Sequence, residues 1–389
     1  MGCSLFFDGK SGLFYENFPD TVVFFGIFLY TVKKNTNRKE CDNMTERLAR
    51  ALTTKFPLRI NENGTFRVLC VSDFHAPCGR RWDPRLKTAL DALVDTCKPD
   101  LVFIAGDLTH DDEGVGSEEL LHEYMADVMA HTEELGIAWA HIPGNHDREE
   151  GIPPHVFMSF PYCLSERGEE DLDGYGTYLL PVWPHDGNRE NGPACCVWAF
   201  DTHIGLGHYG EKAGLTPDCD LNLPHMHTGF SHDDGAHFNQ TAWYWDMSAE
   251  MESLFGRKIP GVMLLHRPPT EMYLVGKNPS MTGLTGEIRE EIGASDINTG
   301  LFAAAFERGD IRAIISGHDH INNCAGTYLG ILLAEDAGLG YDVYGDDDLR
   351  GGRVIEFSAD KPDSVHSWHI YVKDCIPEEN LQQGRDGTV

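Results

Sequence analysis

The sequence is poor in positive charge: 31 Lys and Arg stand against 62 Asp and Glu, a formal net charge of −31. A field of that sign repels nucleic acid and anionic lipid at long range and leaves no basic stripe to follow a phosphate backbone. Polyanion binding is disfavoured as a function class. The 11 cysteines are odd in number and contain no Cys-x-x-Cys pair, so neither a thiolate zinc cage nor an evident disulfide framework is written here. Cys195 and Cys196, the one adjacent pair, read as strand thiols facing opposite sides of a sheet. A reducing compartment fits this usage best.

Long apolar runs are missing as well. The N-terminal stretch TVVFFGIFLYTV, residues 21–32, has 12 residues, short of the roughly 20 that a spanning helix needs. Asp8, Glu16 and Asp20 precede it where a signal peptide carries basic residues. The opening MGCS has Phe6 where a myristoylation signal wants Ser or Thr. Were the stretch an anchor, Lys33, Lys34, Arg38 and Lys39 behind it would keep the remaining chain on the cytoplasmic side. The plainer reading is that translation begins at Met44 and the residues before it are not native. A cytoplasmic protein is expected, with membrane association left open by this segment. Three N-x-[ST] triplets, at Asn43, Asn63 and Asn239, carry no meaning without secretion.

What is present is a foldable chain. Hydrophobic residues make up 41% and aromatics 10%, which argues against wholesale disorder. From Leu58 onward, apolar runs alternate with amphipathic stretches. FRVLCVSD (66–73), LVFIAGD (101–107) and IAWAHIPGN (137–145) predict buried strands, and 84–97 and 117–135 have helical spacing with charged outer faces. This βαβα order implies a parallel or mixed sheet covered by helices, an α/β fold. After a Gly-, Pro- and Asp-rich middle, helices are expected over 240–255 and 301–308. Strands are expected over 261–266 and 311–316 and within 327–335, 353–357 and 367–372. No internal repeat or long linker divides the region. The expected organisation is an extension over 1–57, one domain over 58–375 and a tail over 376–389.

The strand ends carry the chemistry. The successive apolar runs end in SDFH (72–75), GDLT (106–109), GNHD (144–147), His266 and GHDH (317–320). In α/β sheets such ends gather along one carboxyl edge, where ligands bind. Asp, His and Asn without sulfur form a donor set suited to Mn, Fe, Zn or related divalent ions. A lone D-x-H or G-D is more often a turn with a capping carboxylate, and a lone His266 would ordinarily be a satisfied strand-end histidine. Five such segments in this order are hard to ascribe to coincidence.

In these blocks the sequence resembles the calcineurin-like metallophosphoesterase superfamily, whose pattern is D-x-H, G-D, G-N-H-[DE], a lone His after a strand, and G-H-x-H. The resemblance runs from about Phe66 to Val372. GHDHINN, the later AGLGYDVYG and RGGRVIEF are similar to the small proteins related to purple acid phosphatases. It implies two mixed β-sheets packed as a sandwich and flanked by helices, with two divalent ions (Mn, Fe or Zn) at the sheet edge. Asp73, His75 and His320 would hold one ion, Asn145, His266 and His318 the other, and Asp107 would bridge both. His146, left over once the ligands are assigned, is the expected general acid. Asp147 would orient its imidazole, although a turn-capping carboxylate is an equally simple reading. Asp319 would make structural hydrogen bonds.

Two purple acid phosphatase features are absent. His75 stands where that group has glycine, and His110 stands where it has a metal-binding tyrosine, so no tyrosinate-bound ferric ion is expected. The implied activity is hydrolysis of small phosphate mono- or diesters by in-line attack of a hydroxide bridging the two ions. A non-catalytic scaffold of the same fold and a nuclease using the same site are the alternatives. The acidic charge counts against the nuclease, and a full set of ligands counts against the scaffold. Arg267, next to His266, could contact phosphate or be structural. Gly205, Gly207 and Gly210 have G-x-G-x-x-G spacing but open no long helix, so no dinucleotide site is expected. The His-rich stretch 203–237, with His225, His227 and His232, reads as a solvated loop, with a further metal site or a lid as the other readings.

Overall fold

The computed structural model describes residues 44–77, 81–109, 118–149, 154–202, 235–295 and 297–381. Twelve strands are described. In chain order they are β1 (Leu58–Arg59), β2 (Thr65–Val71), β3 (Leu101–Ala105), β4 (Ala138–Ile142), β5 (Tyr178–Trp183) and β6 (Cys195–Phe200), then β7 (Gly261–Leu265), β8 (Ile311–Ser316), β9 (Ala325–Tyr328), β10 (Ile331–Glu335), β11 (Gly351–Ser358) and β12 (Val365–Tyr371). They form a five-stranded sheet in the order β12-β11-β2-β3-β4 and a seven-stranded sheet in the order β1-β5-β6-β7-β8-β10-β9. Both sheets are mixed. Strands β2, β3 and β4 run parallel, as do β6, β7, β8 and β10, while β11 and β12 are antiparallel to their neighbours.

The period-two alternation of strand side chains decides the layers. Along β2, Phe66, Val68 and Cys70 face the core between the sheets, whereas Leu69 and Val71 face the outer core. That outer core is covered by the helices Arg85–Cys97 and Glu118–Val128. On the far side, the helices Phe238–Phe255 and Leu301–Arg308 cover the seven-stranded sheet. The expected sandwich of two mixed sheets flanked by helices is thus what forms. Cys195 lies in the central core and Cys196 in the outer one, on opposite faces of β6 as expected. The described cysteines are all free thiols.

Some elements differ from expectation. The helix predicted over 117–135 is broken at Met129 into Glu118–Val128 and Ala130–Glu134. The run 327–335 is a hairpin, β9 turning into β10 through Leu329 and Gly330, both at positive φ. Residues Glu46–Ala51, assigned to an extension, form a helix whose Leu48 is fully buried in the core, and Thr45 bonds Glu250. Leu381, assigned to the tail, is also buried. Packed structure therefore extends to both sides of 58–375. The apolar segment 21–32, His110 and the glycines at 205–210 lie outside the described residues, as do His225, His227 and His232. No helix among the described residues is long and apolar enough to cross a membrane.

Candidate metal centre

Each predicted site residue follows a strand, and the two sheets bring those strand ends to one edge. Asp73 and His75 follow β2, Asp107 follows β3, and Asn145, His146 and Asp147 open a short helix (Asn145–Glu149) after β4. His266 follows β7, and His318 and His320 follow β8, from the other sheet. The chain leaves these strands abruptly. Asp73, His75, Asp107 and His318 all have positive φ, between 48° and 75°. Non-glycine residues pay to adopt that conformation, and its clustering at one place marks a site held by its surroundings. Gly144 is needed for the closeness: a Cβ there would overlap the Asp107 backbone and carboxylate.

The side chains converge as two groups sharing one carboxylate. One ligand atom from each of Asp73, His75, Asp107 and His320 lies within 4.8 Å of the others, and the same holds for Asp107, His266 and His318. Asp107 Oδ2 stands 3.5 Å from His75 Nε2 and 3.3 Å from His266 Nε2, between the groups. Asn145 Oδ1 lies 3.0 Å from His266 Nε2 and joins the second group. All seven predicted ligands are therefore brought together.

Hydrogen bonds aim the donor atoms. Asp107 Oδ1 accepts from the His146 amide at 3.0 Å, which leaves Oδ2 facing the imidazoles. Asp73 Oδ2 accepts from the His318 amide at 3.1 Å and from the Ser72 hydroxyl, which leaves Oδ1 facing His320 Nε2 at 3.4 Å. His266 Nδ1 donates to the Ala105 carbonyl at 2.8 Å and His320 Nδ1 to the Tyr344 carbonyl at 3.0 Å. A carbonyl only accepts, so both rings carry hydrogen on Nδ1 and, when neutral, present an Nε2 lone pair inward.

The electrostatics ask for a cation. Burial would raise the pKa of Asp73 and Asp107, but the surrounding imidazoles, His320 and His266 foremost, outweigh it and hold both below the usual carboxylate range. Burial would lower His266, but Asp107 outweighs it and pushes the ring up to about 10. Burial holds His75 and His318 below the ordinary histidine value. Among the described residues, Asp73 Oδ1 and His318 Nδ1 are buried with no hydrogen-bond partner. Such atoms are costly to leave unsatisfied. A divalent ion in each group would satisfy them, and the oxygen-and-imidazole set suits Mn, Fe or Zn, so the residues fit the implied metals.

The flanking residues divide by what they touch. The His146 ring packs edge-on against His75, and its Nε2 is 4.0 Å from Asp107 Oδ2. Asp147 accepts from the Thr109 amide and hydroxyl at 3.0 and 3.1 Å and from the Gly144 amide at 2.8 Å. That is the turn-capping geometry: it ties the loop after β3 to the loop after β4. Burial and the neighbouring Asp107 push its carboxyl up to about 6. Asp319 accepts from the Gly293 amide and from Asn322 Nδ2, structural bonds as expected. Arg267 donates to the Gly293 carbonyl at 2.9 Å. His237, from the His-rich stretch, caps the helix Phe238–Phe255 and bonds Asp173 at 2.7 Å. Sequence reasoning missed Tyr344, whose ring stacks on His320 at 4.2 Å, and Ser72, which braces Asp73. The only signal for either was its place beside a motif.

Curated relatives match this chain over most of its length. The chain is 28% identical over 356 residues to the Arabidopsis thaliana protein named "Probable inactive purple acid phosphatase 14", with 80% of this chain and 82% of that protein covered. It is 25% identical over 334 residues to "Probable inactive purple acid phosphatase 28" of the same organism, with 77% of each covered. Among solved structures, a dimetal phosphatase from Danio rerio shares 14% identity, with 78% of this chain and 98% of that one covered and a TM-score of 0.48. Residues 66–322, more than half of the chain, match the family model described as calcineurin-like phosphoesterase. The matched span opens on β2, which delivers Asp73 and His75, and closes just past His320, so the chain belongs to the calcineurin-like phosphoesterase family.

Proposed function

We propose that this protein hydrolyses small phosphate mono- or diesters at a site holding two divalent cations. The observation that carries the reading is Asp107 Oδ2, placed between two groups of buried, inward-facing ligand atoms. Asp73, His75 and His320 would hold one cation and Asn145, His266 and His318 the other, with Asp107 common to both. Cations bound there supply Lewis acidity for a phosphoryl oxygen and make water acidic enough to attack near neutral pH.

The chain's own residues supply the rest. His146 is the general acid: its Nε2 lies beside the shared carboxylate and its side chain is 27% exposed, so it is reachable from the cleft and able to protonate the leaving oxygen. Asp147 acts through position, since its bonds to Thr109 and Gly144 hold the loops carrying Asp107 and Asn145 in register. The rings of His75 and His266 are themselves buried, so water does not compete for their donor atoms from behind. Substrates are small because the net charge of −31 opposes a polyanion along its whole length, whereas an ester with one or two charges pays that cost once.

A non-catalytic reading draws on the names of the relatives, "probable inactive". Against it stands the complete ligand set, because a scaffold has no need to keep seven donors aimed inward. The deciding experiment is turnover of p-nitrophenyl phosphate and bis-p-nitrophenyl phosphate by protein of measured metal content. Metal-dependent release of p-nitrophenol from either supports hydrolysis, and two bound metals without turnover would establish the scaffold.

A further inference from the structure

Tyr344 is a rigid ring with one open side at the rim of the metal centre. One face stacks on His320, with centroids 4.2 Å apart and planes 16° from parallel. Its backbone carbonyl accepts from His320 Nδ1, and its hydroxyl donates to Glu290 Oε2 at 2.9 Å. Glu290 is itself anchored by the Ile321 amide on Oε1 at 2.8 Å. The ring is thus pinned at both ends, yet Tyr344 remains 57% exposed. A side chain serving only to cover His320 would gain from deeper burial, and this one, with one face on His320, keeps more than half of its surface in solvent.

The surroundings favour one kind of group on that face. Three acids of the adjoining loop are paired with cations: Asp346 with Arg289, Asp347 with Arg350 and Asp348 with Lys373. Glu290 has no ion pair among the described residues; its carboxylate takes only the neutral Ile321 and Tyr344 donors. The hydrogen bond from the phenol to a carboxylate enriches the ring in electrons, and an electron-rich face beside an uncompensated negative charge attracts a cation. The field of a chain carrying a net charge of −31 acts in the same direction.

We infer that the open face of Tyr344, backed by Glu290, selects phosphoesters whose alcohol carries an ammonium group. Such a substrate places its phosphate at the metal centre and its cation on the ring one stacking distance from His320. This rests on the phosphoesterase reading above. A zwitterionic ester of this kind also approaches the acidic protein at less cost than a plain phosphate ester.

The test compares phosphocholine with neohexyl phosphate, whose tert-butyl group has the shape of trimethylammonium without its charge. Each is offered to the metal-loaded full chain as the monoester and as the p-nitrophenyl diester. The wild type should favour the choline esters in kcat/KM by about 3- to 30-fold. Tyr344→Leu should bring that ratio close to one, whereas Tyr344→Phe, which keeps the ring but loses the bond to the carboxylate, and Glu290→Gln should each lower it to an intermediate value. Because the ratio is taken within each variant, loss of active protein cancels. A second arm needs no turnover: saturation-transfer NMR of choline with the metal-free chain should show binding that neohexanol lacks and that Tyr344→Leu abolishes. No preference in the wild type, or a preference unchanged in Tyr344→Leu, overturns the inference. If no ester is hydrolysed, the phosphoesterase reading fails and the NMR arm alone decides this one.

Discussion

His75 and His320 present their Nε2 atoms to each other across 3.2 Å. The two residues are 245 positions apart, on loops that follow strands in different sheets. His320 Nδ1 gives its hydrogen to the Tyr344 carbonyl, so the ring, when neutral, presents its lone pair on Nε2. Two nitrogens aimed at one point need a shared electrophile, a proton or a metal ion.

The first prediction concerns the carboxylate between the groups. Asp107→Asn keeps the shape of the side chain and the bond from the His146 amide but removes the shared negative charge. Affinity for at least one metal should fall by about tenfold or more, with turnover falling alongside and the fold intact. Metal analysis and circular dichroism check it. A variant holding two metals with full activity rules out the bridging role.

His146 separates binding from chemistry. His146→Ala should retain both metals and lose roughly 10²-fold or more in rate, with a smaller loss for substrates that have good leaving groups. Metal analysis paired with a leaving-group series reads this out, and a fall in metal content would make His146 a ligand instead.

Acid stability should depend on His141. This residue is buried on β4, shares a hydrogen bond with Ser165 Oγ at 2.7 Å, and burial pushes its imidazole down from 6.5 to about 3. The unfolded chain takes up a proton there below about pH 6.5, and the folded chain does not until about pH 3. The contribution is therefore whole above pH 6.5 and is lost as pH falls, with about 2 kcal/mol gone at pH 5. Urea midpoints at pH 7 and pH 5 should differ less in His141→Gln than in the wild type. Equal differences would show that the ring titrates normally.

The start of the chain offers a structural test. Thr45 bonds Glu250, and Leu48 and Leu52 are buried against the helix Phe238–Phe255 and its neighbours. A chain beginning at Met44 should fold and bind metal fully. One beginning at Leu58 forfeits two buried leucines, about 3–6 kcal/mol, and its thermal midpoint should drop accordingly. Equal midpoints would mean that the Glu46–Ala51 helix contributes nothing.

Much of this protein was legible in the chain alone. The strands β7 and β8 and the helix Leu301–Arg308 stand within a residue of where periodicity puts them, because their apolar patterns are local and uninterrupted. β5 went unread because Pro181 interrupts it and its partner β1 is only two residues long. The candidate donor set was legible too, since the donor atoms sit in short blocks at strand ends and residue type decides which metals they would suit.

Tertiary structure decided what each donor does. Local spacing cannot say that β2 pairs with β11 or that the loops after β7 and β8 meet those after β2, β3 and β4, because pairing across the chain is settled by which apolar faces bury together. That meeting imposes positive φ on Asp73, His75, Asp107 and His318, supplies the carbonyls of Ala105 and Tyr344 that orient His266 and His320, and spends Asp147 on two loop amides. It also stands Tyr344 against His320 with its other face open. The chain specifies which atoms can bind, and only the packing of two sheets, by desolvating those atoms and aiming them with backbone hydrogen bonds, specifies where they converge.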